Sequence, residues 1–370
     1  MIEVSFHYNL RVVDNLALAQ AMAQGTVVAV AEIPKFETAQ DVFRYVQLKR
    51  LHQQLAALGV PLTLRQTITK DQPSLLFDVA SIMSKQGTPY KIFTPFYKAC
   101  LQRQPRALIA KPKPQTAPFT TDFPTYELPS WAQKLADAWP ADVREVVEGF
   151  AVEYYEMSRD YPAADAVSRL SPYLAVGAVS PVQLYHRFHH YAGFIRQLIW
   201  RDFAYYTKWQ YPTMATQPLR EQFARFPYQQ DLALQQCWQL GQTGYPLVDA
   251  GMQELYATGY MHNRVRMVCA SFFTKHLLQP WQDGERYFAT HLVDYDEASN
   301  ALNWQWVAGT GVDASPYFRV FNPLTQRTKF EADAYINKWL PVDYACLPIV
   351  DHKAARQRAL AAYETIKGES

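Results

Sequence analysis

The chain has 370 residues and a mass of 42.6 kDa, more than one hydrophobic core usually organises, so we predict two domains. Hydrophobic residues make up 49% of the chain, aromatic residues 14% and charged residues 19%, which excludes disorder over most of its length. The net charge of +2 is uneven, because residues 1–106 carry 12 basic and 7 acidic side chains whereas the remainder carries 24 and 27. Any nucleic acid contact in the larger part must therefore come from a local basic patch.

The first part of the chain alternates strand and helix patterns. Apolar, β-branched runs predict strands over residues 2–6, 26–33 and 62–64, and helical spacing predicts helices over 16–23 and 39–58. This order indicates a parallel sheet, here of three or four strands because the pattern fades near Gln72. No GxGxxG sequence is present, so no phosphate-cradling loop is expected in this part.

A proline-rich stretch, residues 105–130, separates this part from the rest. Its six prolines interrupt helix and sheet alike, so we predict a linker between an α/β domain of residues 1–104 and a domain of residues 131–370. Aromatic and aliphatic residues recur in the larger domain at helical spacing, as over 181–191, 194–208, 245–257, 263–278 and 284–292. The predicted fold class is a small parallel-sheet α/β domain followed by a larger all-α domain.

The sequence carries no signal for a membrane or a metal. It has no apolar run of the ~20 residues that a bilayer span needs, and its first residues lack the layout of a signal peptide, so we expect a cytoplasmic protein. Its four cysteines lie far apart without a CxxC pair, which argues against zinc, iron–sulfur and disulfide frameworks. The histidines at 186, 189 and 190 are interpreted as polar surface residues, and no metal site is predicted.

One stretch of hydroxyl residues could hold a phosphate. Ser171 precedes Pro172, which suits the first turn of a helix, and a helix N-terminus presents free N–H groups to an anion. Tyr155 and Ser168 add two further hydroxyls. A diphosphate could bind here, and ordinary helix capping is the alternative interpretation.

A second group combines carboxylates and an arginine. Asp294, Asp296 and Asn300 follow an aromatic-rich helix, and Arg266 lies on the helix before it. On their own, such residues form a structural ion pair more often than a cofactor site. The residue types therefore leave both possibilities open.

Seven sequence strings, taken in chain order, carry a family resemblance. They are KIFTPFYKA (91–99), SRLSPYLAVGAVSP (168–181), QLIWRDF (197–203), TGYPLVDAGM (243–252), MHNRVRM (261–267), WQDGERYF (281–288) and NWQWVAGTGVDASPYFRVFNP (303–323). Together they resemble the flavin-binding helical domain of the DNA photolyase and cryptochrome family, densely over about residues 155–341 and more loosely through LRVVDNLAL (10–18). The chain is most similar to a class I cyclobutane pyrimidine dimer photolyase with a shortened N-terminal domain.

The resemblance implies that the larger domain binds FAD. Asn300 would lie near N5 of the flavin, and Arg266 would pair with Asp294. Val167 stands where the family has threonine, Tyr295 where glycine is common, and Ala-Leu-Asn at 301–303 where Asn-Gly-Gly is typical. The cofactor-binding residues implied are Tyr155, Val167, Ser168, Arg169, Leu170, Ser171, Phe194, Arg266, Asp294, Asp296 and Asn300.

Three tryptophans match the family's electron-transfer chain from flavin to surface. These are Trp304, Trp281 and Trp238, and with Asn300 they are the residues that the resemblance implies for the redox chemistry. A large π-system can be oxidised and reduced again when its neighbours lie close. The alternative is that a protein with nine tryptophans simply buries them.

The implied activity is light-driven repair of cyclobutane pyrimidine dimers in UV-damaged DNA by an electron from excited, reduced FAD. Enzymes acting on a base in duplex DNA extrude it into a pocket. Gln197 stands where many such enzymes carry glutamate, so reduced efficiency is expected. Trp200 and Trp306 match the pocket walls, and Asn263, Arg264 and Met267 match lesion contacts. The implied phosphate contacts are Arg159, Arg201, Arg319, Gln326 and Lys329, with Asn322 on the same segment.

Several alternatives stay open. Repair of (6-4) lesions is disfavoured because MHNRVRM has Asn263 and Met267 where those enzymes place histidines, one of them a proton donor. A cryptochrome-like blue-light sensor without repair is the main alternative, although only about thirty residues follow Pro341. A flavin- or DNA-binding module without catalysis is another, because chain is missing between Gln66 and Pro73 compared with the family. No acidic folate-binding segment is found, so no folate or other antenna chromophore is expected, and we expect a monomer.

Overall fold

The computed structural model describes residues 1–120 and 122–367, which begin with a three-stranded parallel sheet. The strand order is β1-β2-β3, with Ile2 opposite Val27 and Ala29 opposite Leu62. The central strand is a nearly continuous run of buried valine and alanine, as a parallel strand covered on both faces requires. The elements are β1 (Ile2–Ser5), α1 (Leu16–Gln24), β2 (Val27–Glu32), α2 (Ala39–Ala56) and β3 (Leu62–Arg65). The predicted alternation of strands and helices is confirmed.

The rest of the described chain is mostly helical, which confirms the predicted fold class. None of the helices described combines the length and the apolar character needed to cross a membrane. Short 3₁₀ turns lie at Val79–Ser81, Val152–Tyr154, Pro162–Ala164 and Glu221–Arg225. The α-helices are α3 (Phe93–Cys100), α4 (Ser130–Asp137), α5 (Val143–Gly149), α6 (Tyr155–Ser158), α7 (Ser171–Ala175), α8 (Pro181–Phe188), α9 (Ala192–Gln210), α10 (Leu232–Gln239), α11 (Pro246–Thr258), α12 (Asn263–Ser271), α13 (Trp281–His291), α14 (Glu297–Ala308), α15 (Pro323–Lys329), α16 (Asp333–Trp339) and α17 (His352–Glu364).

One predicted helix is interrupted. The pattern over residues 263–278 predicts a single helix, but α12 ends at Ser271 and a π-helix, Phe272–His276, follows it. The Thr274 hydroxyl donates a hydrogen bond to the Ala270 carbonyl at 2.8 Å, a contact that bends helices. The wider turn places Lys275 inside the protein, where only 1% of its surface is exposed.

The proline-rich stretch contains no helix or strand among its described residues before Ser130, and it is hydrogen-bonded to the elements around the sheet. The backbone N–H of Gln115 donates to the Leu58 carbonyl at 3.0 Å. Its side chain donates to the Met22 carbonyl at 2.9 Å and accepts from the Val27 N–H at 3.2 Å. Glutamine thus supplies the hydrogen bonds that the neighbouring prolines cannot donate.

Residues 73–104 pack on α9, so the two predicted domains share one hydrophobic core. The Asp202 carboxylate accepts the backbone N–H groups of Leu76 and Phe77 at 3.1 and 2.9 Å. Phe96 lies 5.2 Å from Phe203, measured between ring centroids. Burial raises the pKa of Asp202 to about 7. The boundaries proposed for the two domains stay a prediction, and this packing places the end of the first one firmly against the second.

Candidate cofactor and substrate site

A cavity of about 480 Å³ opens among α7, α9, α12, α13 and α14. This volume lies in the range of small-molecule sites. The cavity walls include every residue that the resemblance implies for cofactor binding, from Tyr155 on α6 to Asn300 on α14. Residues separated by well over a hundred positions in sequence therefore converge on one site.

An ion pair forms the polar wall of this cavity. The Arg266 guanidinium lies 2.9 Å from Asp294 Oδ2, and the Ser171 hydroxyl donates to the same oxygen at 2.7 Å. The Asp294 side chain is only 4% exposed. Burial opposes the charge of Arg266, but Asp294 outweighs it and the pKa of Arg266 is raised. The expected pairing of Arg266 with Asp294 is present.

The residues here fit a flavin dinucleotide. Asp294 Oδ1 is buried without a hydrogen-bond partner among the described residues, and a buried carboxylate oxygen calls for a donor such as a ring N–H. Arg159 and Arg169 line the same cavity, where they could supply positive charge for a diphosphate, and Arg169 also forms an ion pair with Asp165 at 2.8 Å. Pro172 lies in the first turn of α7, as expected, although this helix has only five residues.

Two further polar residues are held by neighbouring side chains. Asp296 caps the N-terminus of α14, where its Oδ1 accepts the Ser299 N–H at 2.8 Å, and its Oδ2 accepts the Tyr205 hydroxyl at 2.7 Å. Asn300 donates through Nδ2 to Glu285 Oε1 at 3.0 Å. The amide oxygen of Asn300 is thereby left to accept a hydrogen bond from a bound ligand.

Arg201 requires a correction. We expected it to contact DNA phosphates, but its side chain is only 11% exposed. Its guanidinium donates to the Ser74 carbonyl at 2.7 Å and lies 3.5 Å from Asp296 Oδ2. Arg201 therefore ties the segment after the sheet to the cavity wall and is not available to a phosphate at the surface.

The three tryptophans lie together in a second hydrophobic cluster. Trp304 lines the cavity, and its ring centroid is 6.3 Å from that of Trp238. Trp238 and Trp281 have no exposed surface. The expectation that these three residues lead to the surface is therefore wrong in one respect, because none of them forms an exposed end.

The position of Trp304 depends on Gly284. A Cβ built at Gly284 would lie 2.2 Å from Cη2 of Trp304. We expect Gly284→Ala to lower the free energy of unfolding by ~1–3 kcal/mol through overpacking, although alanine is intrinsically the better helix former. Urea unfolding measures this, with Gly149→Ala as control because a Cβ there meets nothing within 4 Å. Equal stability of Gly284→Ala and wild type would contradict this packing.

The mouth of the cavity is aromatic. Gln197, Trp200, Asn263, Met267 and Trp306 all line it, as the resemblance implies. The residue type and spacing alone would not have shown how Trp200 is held. Its ring stacks on Phe93, with 3.5 Å between centroids and 9° between planes, so one face of the indole is fixed.

Phe93 was not predicted from the sequence as a residue that supports the site. Phe93 belongs to KIFTPFYKA, and its backbone N–H donates to Asp313 Oδ2 at 2.8 Å, which links α3 to the loop that follows α14. Tyr260 was also missed. Its ring lines the cavity below the Arg266 guanidinium, at 5.0 Å. An aromatic residue directly before MHNRVRM was the available signal.

The expected phosphate contacts are spread around the mouth. Arg159 lines the cavity, whereas Arg319 and Lys329 are exposed outside its wall, and Gln326 and Asn322 lie with Lys329 on or beside α15. Arg264 does not line the cavity. It forms an ion pair with Asp160 at 2.9 Å, beside the Phe330 ring.

Comparison with known proteins agrees with this architecture. The architecture is a helical domain whose cavity is lined by arginines, next to a small parallel sheet. Residues 194–346 match the family model described as the FAD binding domain of DNA photolyase. A deoxyribodipyrimidine photo-lyase of Agrobacterium fabrum is 38% identical over 355 residues, which cover 81% of this chain and 74% of the relative. The chain belongs to the DNA photolyase and cryptochrome family.

Two solved structures are similar over nearly the whole chain. A bacterial class III photolyase from Agrobacterium tumefaciens has a TM-score of 0.88 at 32% identity, covering 99% of this chain and 98% of that one. An archaeal photolyase from Sulfolobus tokodaii, described with two FAD molecules that imply a novel light-harvesting cofactor, has a TM-score of 0.82 at 26% identity, covering 98% of this chain and 99% of that one. The class I likeness stays a prediction, since the first of these is described as class III.

Proposed function

We propose that this chain is a deoxyribodipyrimidine photo-lyase that repairs cyclobutane pyrimidine dimers in DNA with FAD and light. The observation that carries the proposal is a single cavity whose inner wall suits a flavin dinucleotide and whose mouth is lined by Trp200 and Trp306. An extruded pyrimidine dimer could thus sit directly beside the cofactor. Two relatives, each 38% identical to this chain, carry this activity in their names.

Reduced FAD, when bound, would supply one electron to the dimer on excitation by near-ultraviolet or blue light. The residues of this chain would bind and orient the cofactor and the extruded dimer. Arg266 and Asp294 would hold the cofactor ring, and Asn300 would accept a hydrogen bond from it. Trp200, fixed by its stack on Phe93, would present a rigid face to the extruded bases, because stacking on an indole tolerates any base sequence.

Gln197 would limit the efficiency of repair. Its amide is half-buried at the cavity wall and donates to the Gly193 carbonyl at 3.3 Å. An amide can hydrogen-bond to the dimer but cannot offer a carboxylic proton. We expect Gln197→Glu to raise the repair yield per absorbed photon, measured on a thymine-dimer oligonucleotide. Gln229→Glu, on the exposed surface, is the control, and a Gln197→Glu yield no higher than wild type would contradict this role.

Binding to damaged DNA tests the proposed substrate. We expect tighter binding to a thymine-dimer oligonucleotide than to the undamaged one, and weaker binding to both as salt rises because lysine and arginine release counterions from phosphates. Trp306→Ala is expected to lose ~1–3 kcal/mol of binding to the damaged strand. The control is Trp209→Ala, an exposed tryptophan outside the cavity. Equal affinity of wild type and Trp306→Ala for the dimer would contradict the proposal.

The second chromophore is a separate question. The sequence leads us to expect no folate or other antenna, and we expect the protein to act as a monomer. The archaeal photolyase described with a second FAD shows that a related fold can carry one. Absorption spectra of the cofactors released on denaturing the purified protein test this expectation, and any chromophore besides FAD would overturn it.

A further inference from the structure

A series of aromatic rings leads from the cavity wall to the protein surface and ends on a tyrosine. Trp304 lines the cavity, and Trp238 lies 6.3 Å from it with an angle of 71° between the ring planes. The next ring is Tyr287 on α13, 5.5 Å from Trp238 at 64°. Tyr287 is partly exposed, whereas both tryptophans are buried. The series therefore reaches solvent at Tyr287.

The other tryptophan of the predicted chain offers no such exit. Trp281 has no exposed surface. Among residues 1–120 and 122–367, its ring makes no aromatic contact as close as those of Trp238. A reductant in solution could touch neither Trp281 nor Trp238 directly. An electron that enters from solvent needs a further residue.

We propose that Tyr287 is the terminal electron donor of this protein, a role that rests on the proposed flavin function. Trp304, on the cavity wall, would give one electron to oxidised FAD bound there when light excites it, and Trp238 would return one electron to Trp304. Tyr287 would give one electron to oxidised Trp238. Its O–H bond would break at the same stage, with the proton passing to water, and leave a neutral tyrosyl radical. A thiol in solution would return one hydrogen atom to the phenol oxygen and be oxidised to a thiyl radical, which pairs with a second one as disulfide.

The surroundings of Tyr287 suit a proton-coupled donor. Its hydroxyl donates to the Gln239 carbonyl at 3.2 Å, and its ring stacks on His291 with 4.0 Å between centroids. Burial raises the pKa of Tyr287 to about 12, so the phenol is protonated at neutral pH. Its oxidation must therefore release a proton, and the reduction of the flavin should be slower in deuterated water.

The experiment illuminates the FAD-loaded, oxidised protein in the presence of dithiothreitol. The rate of flavin reduction is followed by absorption, and the trapped radical is identified by electron paramagnetic resonance with ring-deuterated tyrosine. We expect Tyr287→Phe to slow the reduction several-fold and to abolish the tyrosyl signal. Tyr363→Phe is the control, since that ring contacts Phe223 and Tyr317 and not Trp238. An unchanged tyrosyl signal and rate in Tyr287→Phe would overturn the proposal.

Two tryptophan variants distinguish an electron route through Trp238 from one through Trp281. Trp238→Phe is expected to lose the tyrosyl signal as Tyr287→Phe does, whereas Trp281→Phe is expected to keep it. Loss of the signal in Trp281→Phe, with Trp238→Phe unaffected, would also overturn the proposal. Repair by wild-type protein whose flavin has been reduced with dithionite needs no electron from the surface. Failure of that repair would count against the proposed function and leave the radical measurement to decide the role of Tyr287.

Discussion

Arg266→Leu is expected to lower the free energy of unfolding of the flavin-free protein by about 3–5 kcal/mol, and to leave the purified protein without FAD. The substitution removes the partner of Asp294, whose side chain is 4% exposed and whose other oxygen has no hydrogen-bond partner among the described residues. An unpaired carboxylate in that position keeps its desolvation penalty and repels the flavin diphosphate. Urea unfolding and the ratio of flavin to protein absorbance measure the two effects.

Two controls make this result specific. Arg286→Leu removes an arginine of the same length from a surface pair with Asp283, where the arginine side chain is 69% exposed, and such pairs contribute only ~0–1 kcal/mol. The double variant Arg266→Leu/Asp294→Leu removes both charges and is expected to recover stability without recovering FAD. Normal FAD content in Arg266→Leu would contradict the assignment of this ion pair to the cofactor.

Lys275→Met is expected to stabilise the protein, by an amount on the order of 2–4 kcal/mol at pH 6. Lys275 is 1% exposed, and its ammonium group donates to the Arg319 carbonyl at 2.8 Å. Burial, and then the charge of Arg319, lower the pKa of Lys275 to about 7. Burying this charge therefore lowers the free energy of unfolding of the wild type. Methionine has a similar length and no charge, so it avoids this desolvation penalty.

The pH dependence follows from the direction of that shift. Below about pH 7 the lysine is protonated in both the folded and the unfolded chain, so the full penalty is present. Between pH 7 and its ordinary pKa of ~10.4 the folded state loses the proton first, so wild type gains stability and the advantage of Lys275→Met shrinks. Unfolding curves at pH 6 and pH 9 measure this, with the exposed Lys338→Met as control. An advantage that is equal at both pH values, or a loss of stability, would contradict it.

The contact that Lys275 makes gives a reason why the protein keeps a buried charge that lowers its stability. The carbonyl that it binds belongs to Arg319, an exposed residue expected to contact DNA phosphate. The π-helix directs the lysine into the protein under this loop. Lys275→Met should therefore bind DNA more weakly while unfolding less readily, a trade of stability for function.

Local patterns were sufficient for most of the fold. The buried β-branched run of β2 and the apolar spacing of α2 predicted a parallel sheet, because both patterns survive in tertiary structure. The break at Phe272 was not predictable in this way. A π-helix keeps nearly the same apolar spacing as an α-helix over one turn, so the pattern over residues 263–278 does not distinguish the two.

The site was predictable in its residues and not in its geometry. Arg266, Asp294 and Ser171 were expected together on resemblance, and the structure joins them through one carboxylate oxygen. The prediction that Arg201 contacts DNA was wrong because the exposure of a charged side chain depends on what lies over it. Here the Ser74 carbonyl accepts a hydrogen bond from Arg201. The burial of Trp304, Trp281 and Trp238 is likewise a property of packing, which residue type cannot show.

The most direct test of this account is repair itself. The FAD-loaded protein, reduced with dithionite, is mixed with a thymine-dimer oligonucleotide and illuminated with near-ultraviolet to blue light, and restored thymines are counted against a dark control. We expect restoration that requires both light and FAD. Bound, photoreducible FAD without any restored thymine would contradict it and favour a light sensor.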